Sequence, residues 1–151
     1  MTLIDKIFEL EENHGPRLAA REMTAFDRNR AADTLGTVAG GTFPVDFLPV
    51  TGIVVEQDGK PVCYLPVYLE QSSKAAVLGH FVGVPGTDKF LLHRAAGTAI
   101  DAAVKFAEKC GRPYIVSIFG HPAINRIADR RGFRTTEFIE EKLFQLQGGS
   151  L

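Results

Sequence analysis

The spacing of apolar and polar residues predicts a strand, a long helix, a second strand and a short helix in the second half of the chain. These four elements are expected at residues 78–84, 90–109, 114–119 and 121–133. In the long helix, the apolar residues recur every three or four positions, as on one helix face; they are Leu92, Ala96, Ala99, Ile100, Ala103 and Ala107. Because most of them are alanines, we expect this helix to lie close to a sheet.

The limits of these elements follow from residues that start and stop helices. Thr87 or Asp88 can cap the long helix, and Gly111 ends it. The short helix begins with Pro122 and stops at Gly132, which favours the left-handed conformation.

The strand at 114–119 is apolar almost throughout, as is usual for a strand that is covered on both faces. A helical crossover between two strands of one sheet leaves them parallel. We therefore expect the strands around Val82 and Val116 to be parallel neighbours.

Before this unit, the pattern predicts an antiparallel meander of three strands at 51–56, 61–70 and 75–84. Asp58 and Gly59 favour a hairpin turn between the first two. Pro66 lacks an N–H, so it must occupy a bulge or an unpaired edge position. Gly79 and Gly83 indicate a bulge or a close backbone approach in the third strand.

The two ends of the chain have weaker patterns. Helices are predicted at 3–10 and 17–34, with no strand before them, and a last strand is predicted at 142–146. The second helix carries Arg17, Arg21, Arg28 and Arg30, which form either a basic face or an ordinary solvated surface.

The length and composition indicate one α/β (α+β) domain with a mixed sheet and helices on both faces. Its predicted parts are a helical region at 1–48, the meander at 49–86 and the helix–strand–helix–strand half at 87–147. Lys and Arg number 17 and Asp and Glu 18, so nothing in the net charge of −1 favours nucleic acid or a membrane surface. Cys63 and Cys110 lack metal-ligand spacing and read as free thiols of a reducing, cytoplasmic compartment.

The order of elements in the second half, closing in Arg130-Arg131-Gly132-Phe133, resembles the GNAT acyltransferases. This resemblance implies that the third meander strand splays from the strand at 114–119. The pantetheine arm of acetyl-CoA would then pair with backbone exposed near Val82 and Val84. It also implies that a motif Arg/Gln-x-x-Gly-x-Gly/Ala at the start of the long helix holds the pyrophosphate through backbone N–H groups.

The chain departs from this motif. Counting back from Gly111 places the final small residue on Gly97, so that Leu92 replaces the Arg or Gln and Ala95 replaces the central glycine. Ala128 stands where many family members have a tyrosine that protonates the leaving thiolate, and His121 stands in place of a common asparagine. These losses are similar to those in GNAT-like internal virion proteins of short-tailed phages.

The resemblance also implies candidate site residues. His80 is the candidate general base, Ser117 is a candidate donor to the leaving thiolate, and His93 and Arg94, with Ala95 and Gly97, would lie at the phosphates. Each has a structural alternative: a histidine bonded to a neighbour, a serine bonded to backbone, and exposed residues of a first helix turn. No histidine has metal-ligand spacing with an acid or a cysteine.

Two hypotheses follow. In the first, the protein has lost catalysis and is a structural or accessory component, for example of a phage virion, with protein partners or copies of itself. In the second, it is an active acyl-CoA-dependent N-acetyltransferase that acts on a small or protein amine. The losses at Leu92, Ala95 and Ala128 favour the first.

Overall fold

The computed structural model describes Leu3, residues 17–119 and residues 121–134. In chain order, these residues form β1 (Leu18–Glu22), α1 (Ala25–Ala39), a 3-10 turn (Val45–Phe47), β2 (Gly52–Gln57), β3 (Lys60–Leu69), β4 (Ala75–Gly79), β5 (Val82–Gly83), α2 (Lys89–Lys109), β6 (Tyr114–Ile118) and α3 (Pro122–Arg130). The predicted strand at 142–146 and almost all of the predicted helix at 3–10 lie outside the described residues.

The strands form one mixed sheet in the order β1-β2-β3-β4-β6, with β5 also paired to β3. The pairing of β4 with β6 is parallel, and the other pairings are antiparallel. The predicted mixed sheet and the parallel crossover are therefore confirmed. The register differs from the expectation, however, because Val77 lies opposite Val116, whereas Val82 pairs with Tyr64 of β3.

The third strand of the meander is interrupted, where the sequence predicted one strand over 75–84. It divides into β4 and β5, and His80 between them has a φ of 55°. Pro66 lies on β3 between the residues that pair with β5 and those that pair with β4. On its other side Pro66 pairs with Gly52 of β2, and the register shift of that ladder lies at Val55 and Glu56 instead. The prediction of an unpaired position therefore holds only on the side of β4 and β5, where Pro66 has no N–H to donate, and β3 is not an edge strand.

Helices cover both faces of the sheet. On one face α2 and α3 pack through buried alanines and isoleucines, and Ala95, Ala96, Ala99 and Ala103 are fully buried there. On the other face α1 packs on Val54, Tyr64 and Val82 through Ala31 and Ala32. The small side chains of α2 let its backbone lie close to the strands, as the sequence predicted.

The N-terminal prediction was wrong in one respect, because residues 18–22 form strand β1 and not the start of a helix. Its arginines do not make one basic face. Arg21 binds Asp27 and Glu56, Arg28 donates to the Leu48 carbonyl, and Arg30 lies over the ring of Phe26. Sheet pairing with β2 outweighs the weak helical spacing of this short segment.

A capping box fixes the start of α1. The Asp27 carboxylate, 2% exposed, accepts hydrogen bonds from the Thr24 backbone at 2.7 Å and from the Arg21 guanidinium at 2.6 Å. The amide of Asp27 in turn donates to the Thr24 hydroxyl. This arrangement satisfies the first amides of the helix and ties it to β1. The hydrogen bond from Arg21 is the main reason that the pKa of Asp27 is lowered to about 2. Desolvation of the carboxylate raises this pKa, and the hydrogen bonds from Thr24 lower it further.

The depressed pKa of Asp27 predicts acid sensitivity. Its folded-state pKa of about 2 lies below the ordinary pKa of 3.8 that it has in the unfolded chain, so the stabilisation is complete above pH 3.8 and is lost as the pH falls through 2. We expect Asp27 to account for about 2 kcal/mol of the loss of unfolding free energy over this range.

Urea unfolding at a series of pH values measures this. Asp27→Asn should lower stability at pH 7 and remove that part of the acid dependence. Asp33→Asn, at an exposed position on the same helix, is the matched control and should change neither. An unaltered pH profile in Asp27→Asn would contradict the prediction.

Candidate functional site

A cleft of about 370 Å³ opens where β5 and β6 separate. Beyond Gly79, the last residue paired with β6, the chain continues as β5 against β3, so the two strands leave a gap between them. The first turns of α2 and the start of α3 close the gap. Its lining residues are His80, Phe81, Gly83, Lys89, Leu92, His93, Ile118, Phe119, His121 and Ile124.

His80, the candidate base, lies at the edge of this cleft. Its left-handed backbone, with a φ of 55°, is uncommon for a residue other than glycine. Its imidazole is in edge-to-face contact with the rings of Phe43 at 5.8 Å and Tyr68 at 6.1 Å between centroids. His80 therefore combines an exposed position at the cleft with aromatic packing, and its catalytic role stays a prediction.

The backbone of β5 faces the cleft through Gly83. The amide of Val84 donates to the Val62 carbonyl of β3 at 3.0 Å, so strand alternation directs the backbone groups of Gly83 to the opposite edge. Leu92 covers this glycine: its methyl carbons lie 2.8 and 3.0 Å from the place that a Cβ on Gly83 would take. Val82 and Val84 pack toward α1 on the other face of the sheet.

The start of α2 is closed by Asp88. Its carboxylate accepts hydrogen bonds from the amides of Phe90 and Leu91, both at 3.1 Å, as the predicted cap does. The amide of Leu92 already donates within the helix, to the Asp88 carbonyl at 2.9 Å. Two of the amides that a helix start leaves without an internal partner are thus bound to a carboxylate here.

The predicted phosphate-binding residues lie inside this helix and not at its tip. Ala95 and Gly97 are buried in the second and third turns, where amides donate to carbonyls four residues earlier. Arg94 is half-buried on the same helix and does not line the cleft. From the sequence, five residues were assigned to the phosphate motif or to phosphate contacts: Leu92, His93, Arg94, Ala95 and Gly97. Of these, Leu92 and His93 line the cleft.

Gly97 has a different neighbour from the one expected. The guanidinium of Arg131 lies directly over it, where a Cβ would stand. This guanidinium binds both carboxylate oxygens of Asp101, at 2.8 and 3.3 Å, and the Ile127 carbonyl at 3.4 Å. The small residue at position 97 therefore makes room for a contact that joins α2 to α3.

Two further histidines line the cleft. Burial lowers the pKa of His93, and Lys89, His121 and Arg126 lower it further. His121 caps α3, with its Nδ1 accepting from the Ala123 amide at 3.1 Å, so its neutral ring carries the proton on Nε2. The start of α3 at Pro122 and its stop at Gly132, with a φ of 88°, follow the sequence prediction.

The other candidates lie away from the cleft. Ser117 pairs with Leu78 in the parallel ladder and is not a lining residue. Cys63 is buried, and burial raises the pKa of its thiol to about 12. Within residues 17–119 and 121–134 no group of three or more His, Cys, Asp or Glu could hold a metal ion. None of the helices described is long and apolar enough to cross a membrane.

Sequence reasoning missed several cleft residues, namely Phe81, Lys89, Ile118, Phe119 and Ile124. One available signal was the position of Phe119 directly after a predicted crossover strand. Sites in open α/β sheets lie beyond the carboxyl ends of such strands. The sequence did not show which side chains of the helix start would turn toward that end.

No family model matches the chain, and no curated protein matches it. Solved structures do match. A probable acetyltransferase has a TM-score of 0.61 at 11% identity, with 79% of this chain and 91% of that chain covered. A ribosomal-protein-alanine N-acetyltransferase from Brucella melitensis biovar Abortus 2308 has a TM-score of 0.55 at 18% identity, with 80% and 94% covered.

A predicted acetyltransferase from Clostridium acetobutylicum, with acetyl-CoA, has a TM-score of 0.58 at 10% identity, with 80% of this chain and 92% of that chain covered. Similarities at these identities show the fold. The chain shares its fold with these solved acetyltransferases, and this agrees with the fold that the order of its elements indicated.

The contact between Gly97 and Arg131 predicts a coupled effect on stability. Gly97→Ala should lower the free energy of unfolding by about 1–2 kcal/mol, because the added methyl displaces the guanidinium. In an Arg131→Ala background the same change should be neutral or stabilising by up to about 1 kcal/mol, since alanine favours a helix. Urea unfolding of the four proteins measures the coupling, and an equal cost in both backgrounds would contradict the assigned contact.

Proposed function

We propose that this protein is a catalytically degenerate GNAT-fold protein that acts as a structural or accessory component of an assembly, such as a phage particle. The observation that carries the proposal is the start of α2. The helix begins at Lys89 and is capped by Asp88, so it runs without interruption through the positions of the phosphate motif.

The physical argument concerns the amides that a diphosphate needs. A helix tip binds an anion through free N–H groups and its positive dipole end. Here Asp88 supplies an internal anion to the amides of Phe90 and Leu91. A phosphate would have to displace this carboxylate and approach its negative charge. The amides of residues 95 and 97 are committed to the helix ladder.

Two other features favour the same proposal. Leu92 packs on the face of Gly83, beside the backbone edge that a pantetheine arm would pair with, and takes up part of the cleft there. Ala128, at the position where the resembling family has an acidic tyrosine, is 2% exposed and has no group that gives up a proton. The phage setting rests on the similarity of these losses to those of GNAT-like virion proteins.

Exposed apolar side chains near the cleft favour a protein partner. Phe47 is 68% exposed and Val50 is 70% exposed, on the segment that leads from α1 to β2. The ring of Phe47 contacts that of Phe43, whose other neighbour is His80. An aromatic surface of this kind is more typical of an interaction site than of a solvated loop.

The second candidate, an active acetyl-CoA-dependent N-acetyltransferase, is favoured by the cleft itself. Strands β5 and β6 separate as a pantetheine arm requires, and His80 lies at the edge of the gap. A base at that position would take the proton of an attacking amine, directly or through a water. Acetyl-CoA is the cofactor that this candidate needs.

Calorimetry with acetyl-CoA separates the two candidates. Charge-assisted hydrogen bonds contribute about 1.5–3 kcal/mol each, so the loss of two should weaken binding by about two to four decades. We expect weak or absent binding by the unmodified protein. Asp88→Asn, which keeps a cap but removes the charge, should bind more strongly, whereas Asp58→Asn in the hairpin turn should not.

A micromolar or tighter dissociation constant for the unmodified protein would contradict the proposal. The second experiment is an acetyl-transfer assay of the unmodified protein and of the His80→Gln variant. Transfer by the unmodified protein that falls by about 10²–10⁴-fold in this variant, at preserved melting temperature, would establish the enzyme instead.

A further inference from the structure

We propose that the cleft between β5 and β6 binds a small amphipathic carboxylate, such as a medium-chain fatty acid, in place of a nucleotide cofactor. The inference rests on the proposed function, since it assigns a ligand to a cleft that acetyl-CoA would otherwise use. It is carried by the distribution of apolar and cationic groups around the cavity.

The floor and walls of the cavity are apolar. Three elements and two flanking residues converge on one volume of about 370 Å³: Leu92 of α2, Ile118 of β6 and Ile124 of α3, with Phe81 just before β5 and Phe119 just after β6. This volume lies at the lower end of the range of about 300–1,000 Å³ for small-molecule pockets. An alkyl chain of about six to eight carbons fits such a volume and can lie against these side chains.

The polar groups of the lining are cationic or donate hydrogen bonds. Lys89 carries an ammonium at the first position of α2, and His121 carries its neutral-ring proton on Nε2 because its Nδ1 accepts from the Ala123 amide. Among the residues that the structure describes, none of those lining the cleft carries a carboxylate. Asp88, the nearest acid in sequence, turns its carboxylate to the helix amides of Phe90 and Leu91.

The electrostatics of His93 agree with this distribution. Its pKa is lowered by burial first and then by the electrostatic effect of Lys89, His121 and Arg126. The same field that disfavours a proton on His93 favours an anion in the cleft. A single carboxylate fits this field without the free amides that a diphosphate requires.

The first experiment is calorimetry of the whole protein with sodium octanoate, sodium hexanoate and 1-octanol. Octanoate should bind more tightly than hexanoate by about fifteenfold, because it has two more methylenes and each buried methylene contributes about fourfold, or about 0.8 kcal/mol. It should also bind more tightly than octanol, which has the same chain without the charge. Octanol binding as tightly as octanoate would overturn the inference, since the site would then be apolar only.

Two variants test the cationic groups. Lys89→Glu should weaken octanoate binding about tenfold, because the attraction of the ammonium for the ligand carboxylate is replaced by the repulsion of a second carboxylate. The variant should not lose stability, since an acidic residue is favourable in the first turn of a helix. Lys105→Glu, at an exposed position farther along α2, is the matched control and should bind normally. His121→Asn keeps the cap of α3 and should weaken binding about threefold.

The outcomes separate this inference from the proposed function. Octanoate binding that depends on Lys89 and not on Lys105 supports the inference, whatever acetyl-CoA does. Absent binding of octanoate, or equal binding by the Lys89→Glu and Lys105→Glu variants, overturns it and leaves the proposed function to the acetyl-CoA titration. If acetyl-CoA binds with a micromolar dissociation constant and octanoate binding still depends on Lys89, the proposed function is overturned and this inference stands.

Discussion

The cleft depends on one interruption of strand pairing. Between Gly79 and Val82 the third strand stops pairing with β6 and continues along β3 only. Pro66 lies opposite this interruption and has no N–H to offer to a continuous ladder. His80 adopts a left-handed conformation at the same point, which costs about 1–2 kcal/mol and is offset by its contacts with Phe43 and Tyr68.

A second constraint concerns the start of α2. Asp88 caps the helix at Lys89, so the residues that the resemblance assigns to a phosphate loop lie within the helix. There Ala95 is buried against the sheet, and Gly97 lies against Arg131. Under the proposed function, these residues complete the packing of α2 instead of presenting free amides to a diphosphate. The proposal therefore keeps the gap between the strands and gives up the anion site at the helix start.

Much of the fold could be predicted from the sequence because it depends on local signals. Helical spacing, the Asp88 cap and the glycine stops at Gly111 and Gly132 gave α2 and α3 close to their observed limits. Strand β1 was missed because its five residues lack the alternation of apolar and polar side chains that marks a strand, and they gain their structure by pairing with β2. The interruption at His80 was only partly predicted, since Gly79 and Gly83 indicated a bulge or a close backbone approach in this strand but not a break in its pairing.

The site was less predictable than the fold because it depends on which side chains meet across elements. Sequence matching placed Gly97 at a phosphate, whereas its neighbour is Arg131, which follows it by more than thirty residues in the chain. Lys89, Phe119 and Ile124 belong to no motif and are brought together only by the crossover. His80 was identified by its strand position and does reach the cleft, but its aromatic neighbours could not be read from spacing.

Hydrogen exchange at the backbone amides of residues 92–97, measured with and without acetyl-CoA, tests the central claim most directly. If α2 runs through the motif positions, these amides exchange slowly in the free protein, as interior helix amides do, and acetyl-CoA leaves their rates unchanged. Fast exchange in the free protein that becomes slow when acetyl-CoA is added would contradict the account, because it would identify the segment as a loop that closes on a phosphate.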